Sequence, residues 1–234
     1  MNPLTIAFLF PLLALTFAIF RYLVFKAIFD QSEYASETKT TFYKTMKDTG
    51  AYGEYLTAQK LVKLSGVHRL VANTYIPNGR GGTTEIDLLF IHETGIYVIE
   101  SKNYSGWIFG KESDRYWTQQ FPNGQKKRFL NPVLQNKGHI NALKKLLSDI
   151  DENLIYSTIV FSQRCELKKV KLDSSAILLC RRQHLQKKMK RARADSQVNL
   201  SVKQIDTIYN RVKAYAGVSE GVKKAHIQKI TKHV

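Results

Sequence analysis

Hydrophobic and polar positions divide this chain into three unlike stretches. The first runs from Leu4 to Phe25 and is apolar except for Arg21 and two threonines. It meets the roughly 20 residues that a helix needs to cross a hydrocarbon core. Arg21 can snorkel to the interface, and Pro11 is tolerated in a membrane helix. The second stretch, residues 30–48, is polar, lacks a strong period and reads as a linker or a solvated helix. A compact domain begins near Gly50.

Within that domain, "GAYGEYLTAQKLVKL" repeats Ala51, Tyr55, Ala58 and Leu61 or Val62 at helical spacing. "HRLVANTYIP" predicts a strand ended by Pro77, and "NGRGG" predicts a loop. "TEIDLLFI" and "GIYVIESK" predict two strands joined by a short turn at residues 92–95, and "GWIFG" with "RYWTQQF" a further hairpin. "NPVLQNKGHINALKKLL" predicts a helix with Asn131 as N-cap and Pro132 in its first turn. "NLIYSTIVFS" and "SSAILLC" follow as strands, and "SVKQIDTIYNRVKAYA" as an amphipathic helix. This order implies an α/β fold in which helices flank a mixed sheet. The expected organisation is an anchor at 1–29, a linker at 30–48, a folded domain at 49–162 and a basic extension at 163–234 that completes or flanks it.

Charge sharpens the picture. The chain has 36 Lys+Arg against 19 Asp+Glu, a net +17, and so should seek polyanions, either nucleic acid or anionic lipid. Most of the excess lies in residues 163–234, densest in "RRQHLQKKMKRARAD", which makes Arg181, Arg182, Lys187 and Lys188 candidate nucleic-acid contacts. The same run could lie on an anionic leaflet. Arg21 and Lys26 follow the apolar run and no basic residue precedes it, which predicts a single-pass protein of the cell membrane with its domain in the cytoplasm. A cleaved signal peptide is the rival reading, but the basic start and small-residue cleavage site are missing. Cys165 and Cys180 have neither zinc-site spacing nor a disulfide framework and suit a reducing compartment. The glycines of "GRGG" lack a helix N-terminus and a P-loop lysine, so they make no nucleotide cradle.

The chemistry lies at the end of "GIYVIESK". A strand of core residues ends in Glu100, Ser101 and Lys102, although burying an unpaired charge costs several kcal/mol. Side chains alternate along a strand, so Glu100 and Lys102 share a face. Asp87 lies about as far before the turn as Glu100 lies after it, so hairpin pairing can bring the three together. Two carboxylates on one face suit Mg²⁺ or Mn²⁺, and the lysine can orient or deprotonate a water or offset developing negative charge. The alternative for Asp87 and Lys102 is a structural ion pair. Glu54 falls on the apolar stripe of the first domain helix. Gln135 and His139 lie four apart on one helix face, and the histidine could simply pack there. Trp107 and Trp117 read as core and hairpin residues; Tyr104 is ambiguous.

An aspartate and a Glu-x-Lys on adjacent strands resemble the PD-(D/E)XK nuclease superfamily. The ordered set "GAYGEYLTAQKL", "TEIDLLFIHETGIYVIESKNYSGWIFG", "RYWTQ" and "NPVLQNKGHINAL" is similar to the NERD, or nuclease-related, domain. The resemblance implies a restriction-endonuclease-like fold, Asp87 and Glu100 as metal ligands and Lys102 as the catalytic lysine. Glu54 matches the acidic residue of the family's Gly-x-x-Gly-Glu helix, and Gln135 a glutamine on the later helix. Ile86 stands where many relatives have proline, and Leu88 where many have histidine. The expectation is a membrane-anchored, Mg²⁺-dependent nuclease acting on DNA or RNA, with DNA the expected nucleic-acid partner ahead of RNA. The alternatives are a non-catalytic nucleic-acid-binding module and a membrane-surface scaffold.

Overall fold

The computed structural model describes residues 3–79, 81–192 and 199–217. Helix α1 (Pro3–Asp30) is long and apolar enough to span a membrane: mean hydropathy over Pro11–Asp30 is 1.9, and only 6% of that span is buried. Leu12, Leu13, Leu15, Phe17, Phe20 and Phe25 all stand more than half exposed, a continuous apolar surface of the kind that needs cover. Arg21 rests its guanidinium on the rings of Phe17 and Phe25, and Lys26 pairs with Asp30 at 2.5 Å.

Residues 30–48 are no free linker. They form α2 (Glu33–Thr38) and α3 (Phe42–Lys47), each started by a hydroxyl cap, Ser32 and Thr41. Their polar composition hides a few inward residues: Tyr34 is 1% exposed and Thr45 is fully buried. Phe29, at the end of α1, is also fully buried and meets Phe42 and Tyr55 edge-on. The apolar helix is therefore packed into the domain at its lower end.

Helix α4 (Thr49–Leu61), capped by Asp48, opens the domain. Strands β1 (His68–Pro77), β2 (Thr83–His92) and β3 (Gly95–Lys102) form an antiparallel meander. Then β4 (Gly106–Lys111), β5 (Tyr116–Gln120) and β6 (Lys126–Leu130) leave that sheet and start a second. Helix α5 (Pro132–Leu146) returns the chain to β7 (Ile155–Phe161), parallel to β3. Strand β8 (Cys165–Lys171) joins the second sheet beside β4, and β9 (Ile177–Arg181) lies parallel to β7. Two short helices, α6 (Leu185–Ala192) and α7 (Val202–Lys213), close the described chain.

The main sheet runs β1-β2-β3-β7-β9 and the smaller one β6-β5-β4-β8. The expected mixed sheet flanked by helices is present, and the second sheet adds to it. One face of the main sheet packs under α4, α6 and the Phe29–Tyr34 segment; the other packs under α5 and α7. Trp117, stacked on Phe161 at 6.2 Å and fully buried, joins the small sheet to the large one.

Candidate functional site

The site grows from the point where β2 and β3 part. Their ladder ends at Leu88–Ile99, so Asp87 and Glu100 are the next opposed pair and face the same side. Beyond the ladder the Ser101 amide would lose its partner, and the Asp87 carboxylate takes its place, accepting from Ser101 N at 2.8 Å. On the other flank Asn73 stands opposite Asp87 with φ +52°, the left-handed region that asparagine tolerates. The β1–β2 register is the same on both sides of it, Ala72–Leu88 and Thr74–Ile86, with the Asn73–Asp87 pair itself left out. Past that pair Ile76 and Ile86 pack with the α5–α7 core, while Ala72 and Leu88 pack beneath α4. Residues two apart on β2 thus serve opposite cores, which marks a kink at Asn73 and Asp87.

Helix α5 supplies the opposite wall. Asn131 caps it and also donates to the carbonyls of Glu112 and Asp114 at 2.9 and 2.6 Å, which ties its start to the β4–β5 turn. Asn136 donates to Val98 O at 3.0 Å and to Ser157 Oγ at 2.9 Å, fixing the helix against β3 and β7. Held this way, Gln135 accepts from Lys102 Nζ at 3.1 Å, and His139 Nε2 lies 3.0 Å from Glu100 Oε2. Thr84 Oγ engages the other ring nitrogen of His139 at 2.7 Å. Lys102 Nζ sits 2.5 Å from Glu100 Oε1, an ion pair off the line of a hydrogen bond, so that buried oxygen has no aligned donor.

Glu100 is fully buried, which favours its neutral form, yet Lys102 and His139 hold it below the usual carboxylate range. Asp87 goes the other way: burial, then the Glu100 charge, push it up to about 7. Burial opposes the charge on Lys102, but Glu100 and Asp87 outweigh it and raise the ammonium above its ordinary value. Glu54 on α4 is raised well above a normal carboxylate by burial and by Asp87, only partly offset by a 3.0 Å hydrogen bond from Tyr34.

These groups open into a cleft of about 1320 Å³ whose lining includes Asp87, Lys102, Gln135 and His139. Tyr104 and Tyr116 form an aromatic side, and Arg115, Lys144 and Lys145 give it positive walls. Arg115 and Arg128 both stack on Tyr116, at 5.4 and 4.7 Å from the ring. Of the residues singled out from the sequence, Asp87, Glu100, Lys102, Gln135 and His139 therefore meet. Glu54 joins them through Asp87. Arg181, Arg182, Lys187 and Lys188 do not line the cleft: Arg182 is 3% exposed, and Lys187 lies with Lys190 and Arg191 in a separate depression on α6. Part of the basic extension, 193–198 and 218–234, lies outside the described residues. Sequence reasoning misses Tyr34, Asn73, Thr84, Arg115, Lys144 and Lys145. An asparagine between strand formers in "LVANTYI" is a usable signal for the kink; the wall cations, scattered over two elements, offer none.

Among the described residues no group of three or more His, Cys, Asp or Glu side chains is gathered to hold a metal ion. The donor set nevertheless suits a hard divalent cation that keeps several waters. Asp87 and Glu100 are opposed carboxylates, and burial with the Glu100 charge raises Asp87, which a bound cation would offset.

Residues 49–162 match the sequence profile of the nuclease-related domain. An uncharacterised protein of Bacillus anthracis is 32% identical over 181 residues, covering 76% of this chain and 82% of that protein. No solved structure matches at a significant level.

Proposed function

Because the chain belongs to the nuclease-related domain family, we propose that it is a membrane-anchored nuclease that hydrolyses phosphodiester bonds with Mg²⁺ or Mn²⁺. The observation that carries this reading is the convergence of Asp87 and Lys102, with Glu100 buried directly behind them, at a cleft walled by Arg115, Lys144 and Lys145. A buried acidic floor beneath cationic walls suits a polyanion that must approach a cation.

Asp87 and Glu100 would hold the ion. Bound there, it supplies Lewis-acid polarisation of a phosphoryl oxygen and an acidified water. His139 orients Glu100 through its 3.0 Å contact, and Thr84 in turn fixes the imidazole. Lys102 stays an ammonium, since two carboxylates raise it; its part is to offset charge on the phosphoryl oxygens rather than to abstract a proton. Gln135 aims that ammonium. Glu54, whose neutral form is favoured by burial and by the Asp87 charge, is the candidate donor of a proton to a leaving oxygen. DNA is the first substrate to test. The apolar α1 supports the anchor, and Arg21 and Lys26 support a cytoplasmic domain.

A second reading has its own observation. Glu100 is already engaged by Lys102 and His139, as a purely structural ion pair would be. The domain would then bind nucleic acid without cutting it. The test is cleavage by the full chain in detergent micelles, with Mg²⁺ or Mn²⁺ and a panel of DNA and RNA. Metal-dependent cutting that vanishes in Lys102→Ala supports the enzyme; tight binding without cutting supports the module.

A further inference from the structure

A second polar cluster lies at the carboxyl ends of the three parallel strands, on the face of β3 turned away from Glu100 and Lys102. Strands β3, β7 and β9 end in register at Lys102, Phe161 and Arg181. The next residues of those strands, Asn103, Ser162 and Arg182, all take part. Arg182 is buried, and it donates from Nε to Thr57 Oγ1 at 3.0 Å and from Nη2 to Asn103 Oδ1 at 3.4 Å. Its Nη1 donates to nothing among the described residues. Arg164 reaches the same asparagine from outside: Nη2 donates to Asn103 O at 2.9 Å and Nε to Ser162 Oγ at 3.3 Å. Thr57 is shared further, with Ser101 Oγ at 3.2 Å.

Neither guanidinium has a carboxylate within ion-pair range among the described residues. For Arg182 that is unusual, because a buried charge is normally paired. Burial, then the Arg164 charge, push Arg182 down to about 10, so the two cations sit under mutual repulsion. Neutral oxygens alone hold them in place. An oxyanion between them would relieve both terms, and the guanidinium fork matches phosphate geometry. The carboxyl ends of parallel strands are also where α/β sheets take their ligands. Asn103 directly follows Lys102, so the two clusters share one end of β3, on its opposite faces.

We propose that Arg164 and Arg182, held by Asn103, Thr57 and Ser162, bind a phosphate of the nucleic-acid strand that also reaches Asp87, Glu100 and Lys102. The identity of that strand rests on the nuclease reading; the phosphate site does not. The experiment uses the full chain in neutral detergent micelles without divalent ions. Inorganic phosphate is titrated calorimetrically into wild type, Arg164→Gln, Arg182→Gln and Arg182→Lys. Arg164 is exposed, so its variant should fold even if loss of Arg182 unseats α4. Arg164→Gln should weaken phosphate by about tenfold or more, the effect of one charge-assisted hydrogen bond. A folded Arg182→Gln should do the same, and Arg182→Lys should restore little, since an ammonium lacks the fork. In parallel, Arg164→Gln should flatten the salt dependence of binding to a short single-stranded DNA by roughly 0.7 in log–log slope. Wild-type phosphate affinity in Arg164→Gln overturns the site, even if the protein cuts nucleic acid. Lost phosphate affinity in a protein that cuts nothing keeps the site and removes the nuclease reading. Unchanged DNA binding, with lost binding to vesicles of phosphatidylcholine and phosphatidic acid, assigns Arg164 to lipid headgroups and overturns the proposal.

Discussion

Tyr34 donates to Glu54 at 3.0 Å, linking the helix that follows the apolar span to the acidic cluster of the domain. Tyr34 is 1% exposed, and Phe29, five residues earlier at the end of α1, is fully buried against Phe42 and Tyr55. The apolar helix α1 and the candidate site therefore share one core. A soluble fragment beginning near residue 31 should be markedly less stable than one beginning near residue 22, because it loses the Phe29 ring. Phe29→Ala in the full chain should cost about 3–5 kcal/mol. Denaturant unfolding of the two fragments checks this; equal stabilities would separate the apolar helix from the domain.

Tyr34→Phe removes the one donor that favours ionised Glu54, so Glu54 should hold its proton to still higher pH. If Glu54 works as a proton donor, the alkaline limb of the cleavage profile should move to higher pH in this variant. An unmoved limb, with cleavage intact, would take Glu54 out of the proton transfer.

Asp87 gives a stability signature that needs no turnover. Its carboxyl rises from an ordinary 3.8 up to about 7 in the fold. Between those values the folded protein keeps a proton that the unfolded chain has released. The Asp87 contribution is thus greatest below the lower value and is lost as pH climbs through the upper one. Glu100, held below its ordinary value, works oppositely and loses its contribution on acidification. In chelator, Asp87→Asn should melt higher than wild type at pH 8, and the gap should close toward pH 5. The amide oxygen can still accept from Ser101 N, so the strand end survives the change. A gap that widens on acidification would contradict the assignment.

Much of this site can be read from residue spacing, and the limits are physical. Counting out from the turn places Asp87 opposite Glu100, because one buried hairpin face fixes the register. Gln135 and His139 are legible as a pair on one helix face, yet only the fold shows that His139 reaches Glu100, 39 residues away in sequence. Strand β8, "CELKKVK", has too few apolar positions to signal itself, since it is an edge strand whose lysines face solvent. For the same reason β6, "KKRFL", gives no signal, and the second sheet stays hidden with it. Residues 30–48 look like a linker because two short capped helices bury only a few side chains each.

The cationic walls and the α6 run make separable claims on a polyanion. Arg115, Lys144 and Lys145 line the cleft, whereas Lys187 sits with Lys190 and Arg191 elsewhere. Replacing Lys144 and Lys145 by glutamine should weaken duplex DNA binding and lower its salt slope by roughly 0.9 for each phosphate no longer neutralised. The same change at Lys187 and Lys190 should act chiefly on binding to anionic vesicles. Filter binding across a salt series and vesicle flotation separate the two; the reverse pattern would exchange the roles of the two surfaces.

The enzyme reading stands or falls on Asp87 and Lys102 failing in different ways. Asp87→Asn removes a charged oxygen, so divalent-ion affinity and cleavage should fall together. Lys102→Ala removes no ligand. It takes away the ammonium 2.5 Å from Glu100 and leaves that carboxylate to His139 alone. A nearby positive charge has gone, so the ion should bind at least as tightly while cleavage collapses. Nucleic-acid binding should persist in both, because Arg115, Lys144 and Lys145 are untouched. Metal titration by calorimetry and cleavage are measured on the same three proteins. Parallel loss of metal in both variants would mean that Lys102 holds the strand end in shape and has no separate role in the chemistry. If wild type takes up no divalent ion at millimolar concentration and cuts nothing, the carboxylate–lysine cluster is a structural ion pair. The domain is then a binding module.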